Sequence, residues 1–110
     1  MTDYIQKALE VDYEEYVDFL TKLVDDEIDS KKIPLREAAE NVISEAFYQL
    51  RGEKYVMNNL FLKANEVLDP PCKDDDELEN HTIDRVVEEI RRNELYMAQK
   101  TGTRPRSDRT

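Results

Sequence analysis

The chain has no tryptophan, one cysteine, one histidine, two glycines and four prolines in 110 residues. Each scarcity removes a class of structure. Cys72 stands alone, so no internal disulfide forms and a reducing compartment is the expected setting. Gly52 and Gly102 are isolated, so no glycine-rich loop cradles a phosphate. With so few turn formers the chain cannot supply the hairpins of a β-sheet. The N-terminus, MTDYIQKALEVDY, has no apolar run long enough for a signal peptide, and no stretch approaches a membrane span. A cytoplasmic protein with no membrane contact is the expectation. His81 has no nucleophile patterned beside it, and Cys72 lies among acids that raise a thiol's pKa, so neither is a catalytic candidate. The sequon Asn80-His81-Thr82 has no role without secretion.

Charge is what the chain has in quantity. Twenty-six Asp and Glu face 16 Lys and Arg, a formal net charge of −10. Residues 100–110 hold Lys100, Arg104, Arg106 and Arg109 against Asp108 alone, a local +3 that leaves −13 on residues 1–99. So acidic a body repels nucleic acid and anionic membrane and attracts basic protein surfaces. No motif implies a cofactor.

The residues that remain are good helix formers, and their periodicity places the elements. Residues 53–68, EKYVMNNLFLKANEVL, are the most continuously apolar stretch. Tyr55, Val56, Leu60, Leu62 and Val67 lie toward one side of a helical projection, and Met57, Leu60, Phe61, Ala64 and Leu68 toward another. A helix apolar over so much of its circumference is expected at the centre of a bundle. Before it, Ile5, Leu9, Tyr13, Tyr16, Leu20, Leu23, Val24 and Ile28 recur at helical spacing. Asp12 followed by Glu15 resembles a capping box, which favours a short helix or turn, then a main helix from Asp12 to about Asp29. Pro34 opens the next helix, whose stripe is Leu35, Ala39, Val42, Ile43, Ala46, Phe47 and Leu50, and Gly52 is expected to end it in a left-handed conformation. Pro70-Pro71 marks the one clear loop. Asp76 and Glu79 form a second capping-box signature, opening a helix to about Gln99 that buries Leu78, Thr82, Ile83, Val86, Val87, Ile90 and Met97. The expectation is an all-α fold: a compact bundle of about four helices over residues 1–99, with a short extra N-terminal helix as the variant. Residues 100–110 form a flexible basic tail.

Carboxylates are the only abundant reactive groups. Asp12, Tyr13, Glu14, Glu15, Asp18, Asp25 and Asp26 form an acidic and aromatic ridge on the first main helix. Rigid aromatic side chains among acids suit protein binding and stack on arginine. Tyr16, Tyr48 and Tyr55 are expected in the core. The leading reading is a small non-enzymatic interaction module. It docks on a basic surface of a partner protein, a nucleic-acid-binding protein among the options, and masks or regulates it as an inhibitor, immunity protein, chaperone or DNA mimic does. Glu15-x-x-Asp18 and Glu37-x-x-Glu40 place acid pairs one turn apart on two helices. In this spacing the chain resembles the all-α nucleotide pyrophosphohydrolases of the MazG type, although its second pair ends in Glu40 where that pattern has Asp. The resemblance implies a Mg²⁺-dependent hydrolase with Glu15, Asp18, Glu37 and Glu40 as metal ligands, the enzymatic alternative. A homo-oligomeric structural protein, such as a homodimer, is the third reading, because Val11 and Val17 fall off the main apolar stripe.

Overall fold

The computed structural model describes residues 3–101, with side chains described up to residue 93. Five helices follow one another: α1 (Tyr4–Glu10), α2 (Tyr13–Lys31), α3 (Leu35–Arg51), α4 (Lys54–Val67) and α5 (Asp75–Thr101). Among the described residues there is no strand. The tail expected at residues 100–110 lies outside the described residues beyond Thr101, as does the side chain of Met97.

The break between α1 and α2 falls where the capping signature predicts it. The Asp12 carboxylate accepts a hydrogen bond from the Glu15 backbone N–H at 2.9 Å, satisfying a donor that the first turn leaves orphaned. Asp3 does the same for α1 through the Gln6 N–H at 2.8 Å. At α5 the cap is Asp74, which accepts from the Glu77 N–H at 2.8 Å, two residues before the expected Asp76. In a run of three aspartates, the shift reflects which carboxylate the connector brings beneath the free N–H groups. The left-handed residue is also not the expected one. Gly52 keeps right-handed angles (φ −71°, ψ −18°), and α3 ends in tightened bonds from the Gly52 N–H to the Gln49 carbonyl and from the Glu53 N–H to the Leu50 carbonyl. Lys32, after α2, takes the left-handed conformation instead (φ 57°, ψ 43°).

The connectors at residues 32–34 and 52–53 are short, and α3 packs against both α2 and α4. α5 then lies on both α2 and α3. It runs antiparallel to α3, since Arg51 at the end of α3 meets Asp75 while Arg36 at its start meets Asp84.

The organising helix is α3, not α4. α3 packs most extensively against α2 and α5, and it buries Leu35, Ala38, Ala39, Val42, Ile43, Ala46, Phe47 and Leu50. α4 buries only Val56, Met57, Leu60 and Ala64, with Phe61 half-covered. Tyr55 is 68% exposed, Leu62 56% and Val67 57%. Of the two apolar stripes on α4, the one through Met57, Leu60 and Ala64 faces the core. The other is split: Val56 and Leu60 are buried, while Tyr55, Leu62 and Val67 face water.

Candidate interaction surface

The proposed ridge on α2 separates into parts that face inward and parts that face water. Tyr13 leaves it altogether. Its ring is buried, and its hydroxyl lies 3.0 Å from Thr82 Oγ1. Thr82 donates its own proton to the Leu78 carbonyl at 2.7 Å, so Tyr13 is the donor to Thr82. Burial, opposed only in part by the Thr82 bond, pushes the Tyr13 pKa up to about 12. Asp12 is engaged as the cap of α2. Glu14 is held in a two-pronged ion pair by Arg85 of α5, whose own pKa this hydrogen bond raises. Asp25 is half-buried. Glu15, Asp18 and Asp26 are exposed on the outward side of α2, with exposed Lys22 among them. Their spacing of three, four and four residues keeps them in one file, about 16 Å long at the helical rise. Their side chains make no ion pair or hydrogen bond among the described residues.

The four ligands of the enzymatic alternative do not gather. Glu15 and Asp18 belong to the start of α2, and Glu37 and Glu40 to the start of α3. Glu40 is instead 3.7 Å from Arg36 Nε on its own helix. Among the described residues no three His, Cys, Asp or Glu side chains come together in a metal-binding group. The self-association argument from Val11 and Val17 also changes, since Val17 is buried and Val11 packs against the core. Tyr16 is in the core as expected, but Tyr48 is 75% exposed and, like Tyr55, lies outside it. Both tyrosines are one step off the apolar stripe of their helix.

The loop before α5 carries interactions that no local pattern announces. Arg51 Nε donates to Asp75 at 3.0 Å, Nη2 donates to Asp76 at 2.8 Å, and Nη1 lies 2.8 Å from Glu79. Burial lowers the Arg51 pKa, but Glu79 and Asp75 outweigh it and the net shift is upward. Three acids of an acid-rich segment are therefore matched by one guanidinium from α3. Asn65 clasps the backbone of Cys72, accepting from its N–H at 2.9 Å and donating to its carbonyl at 3.1 Å. The Cys72 thiol is buried, and burial first, then Glu77 and Asp74, raise its pKa. His81 Nε2 is buried without a hydrogen-bond partner.

Beside this loop a groove of about 490 Å³ opens between α4 and the start of α5. Lys54, Met57, Asn58 and Phe61 line it from one side of α4. Lys73, Asp74 and Asp75 line it opposite, with Arg51 joining the walls. Periodicity alone marks the α4 wall, but nothing in the sequence shows that residues 73–75 stand across from it.

No helix among the described residues is long and apolar enough to cross a membrane. The chain matches no known protein family, no curated protein and no solved structure.

Proposed function

We propose that the protein is a non-enzymatic docking module whose α2 face binds a basic surface of a partner protein and masks or regulates that partner. The observation carrying this reading is the file of Glu15, Asp18 and Asp26, three exposed carboxylates on one helix that make no ion pair among the described residues and outnumber the single Lys22 between them. Several other acids are matched inside the fold: Glu14 by Arg85, Asp84 by Arg36, and Asp75, Asp76 and Glu79 by Arg51. Charges left unmatched on a helix speed encounter with an opposite surface and set its register. Helix α2 is buried along its other side by Tyr13, Tyr16, Val17, Leu20 and Val24, so the file is presented without rearrangement.

The test replaces Glu15, Asp18 and Asp26 together by lysine. Affinity capture from source cells with the wild-type chain should retain a basic protein at low salt and lose it as salt rises. The triple variant should melt no lower than the wild type and fail to retain the same protein. A partner held equally by both chains would remove α2 from the interface. Glu14→Lys is the internal contrast, because it breaks a tie to α5 and should lower stability whatever it does to binding.

A further inference from the structure

The groove beside α4 is a second surface, with no residue from α2, and its chemistry is the opposite of the rest of the body. Residues 54–65 contain no Asp or Glu, although the chain holds 26. Phe61, half-covered, supplies its apolar surface, with the buried Met57 behind it. Lys54 stands on the α4 wall and Lys73 on the facing wall, and neither makes an ion pair among the described residues. The two carboxylates that line the groove are already engaged. Asp75 is held by Arg51 at 3.0 Å, and Asp74 accepts from the Glu77 N–H at 2.8 Å as the cap of α5. What is left for a ligand is the exposed part of Phe61 and two ammonium groups that make no ion pair among the described residues.

Length decides the kind of occupant. From Lys54 to Phe61 the trough follows two turns of α4, about 10 Å at the helical rise. That is too short to seat the three or four turns through which an amphipathic partner helix anchors itself. A trough of that length suits a small molecule rather than a helix. We infer that this groove binds a small amphipathic anion, with its aliphatic or aryl body on Phe61 and its carboxylate drawn to Lys54 and Lys73. The inference is independent of the α2 surface.

Octanoate is a suitable probe, and octanol its uncharged control. Titrated into the ¹⁵N-labelled full chain, octanoate should move amide resonances saturably, and only at residues 51–61 and 72–76. Octanol should bind at least about tenfold more weakly, the loss expected for a missing charge-assisted contact. Lys54→Gln with Lys73→Gln should weaken octanoate by a similar factor while leaving octanol unchanged. Both lysines are exposed, so that variant should keep the wild-type melting temperature. Phe61→Ala should weaken both probes, with the far-ultraviolet circular dichroism confirming that the variant is folded. Shifts scattered over the whole chain, equal affinity for octanoate and octanol, or no saturation by millimolar octanoate would each overturn the inference.

Discussion

Two tyrosine hydroxyls sit inside the apolar core, each with one partner. Tyr13 donates to Thr82, and Tyr16 donates to the Tyr4 carbonyl at 3.1 Å. Burial raises the pKa of both well above the usual 10.0, that of Tyr13 to about 12. A folded-state pKa above the unfolded one stabilises the fold while the group stays protonated. This contribution is complete below pH 10, where the unfolded tyrosine also keeps its proton. It is lost as pH rises through about 12. The protein should therefore unfold steeply between those limits, and Tyr13 alone should contribute on the order of 2 kcal/mol to the loss. Denaturant titrations at pH 8 and pH 11 measure the difference. Tyr13→Phe should cost ~1 kcal/mol at pH 8, because one hydrogen bond goes, and should flatten the alkaline slope. An unchanged slope would mean that burial does not raise the Tyr13 pKa above that of the unfolded chain.

At the scale of the element, α1 shows how a seven-residue helix survives. Isolated helices this short are not stable in water, so tertiary contacts must hold it. Lys63 of α4 donates to the carbonyls of Ala8 and Val11, both at 2.8 Å, and so caps the C-terminal end of α1 from outside. Tyr16 holds its start, and the Tyr4 ring meets Phe19 edge-on at 6.2 Å. Lys63→Met keeps the aliphatic stem and removes both hydrogen bonds. It should cost ~1–3 kcal/mol, concentrated in α1. Amide hydrogen exchange should show α1 losing protection while α3 and the buried part of α5 keep theirs. Uniform loss across all five helices would show instead that α1 belongs to the global folding unit.

The whole molecule carries −10, and its ion pairs do not cancel that excess. Repulsion among same-sign charges acts over the entire surface, whereas the pairs of Arg36, Arg51, Arg85 and Arg92 are local and mostly solvent-exposed, so each is worth little. Repulsion should win. Raising salt from about 0.01 to 0.15 M shortens the screening length from roughly 30 to 8 Å and should raise the melting temperature. A gain of about 1 kcal/mol corresponds to roughly 4–8 °C for a domain of this size. A fall in melting temperature with salt would mean that the arginine networks, Arg51 above all, outweigh the global repulsion.

The sequence by itself determined which elements form and where they break. Periodicity at 3.6 residues, a carboxylate three residues before a free N–H, and proline at the ends of helices act through neighbours in the chain, so Asp12, Pro34 and Pro70-Pro71 could be read directly. The apolar stripes of α3 and α5 were legible for the same reason, as was the outward direction of Asp18, whereas Glu14 is tied to Arg85 and Asp25 is half-buried. Only the tertiary structure decided which stripe found a neighbour. It left Tyr55, Leu62 and Val67 in water, took Tyr13 into the core, joined Arg51 to acids more than twenty residues away, and set Lys54 across from Lys73. Local rules constrain a helix by its own backbone, whereas such pairings depend on how whole helices stack. That stacking is a property of the assembled bundle, and no short window of residues contains it.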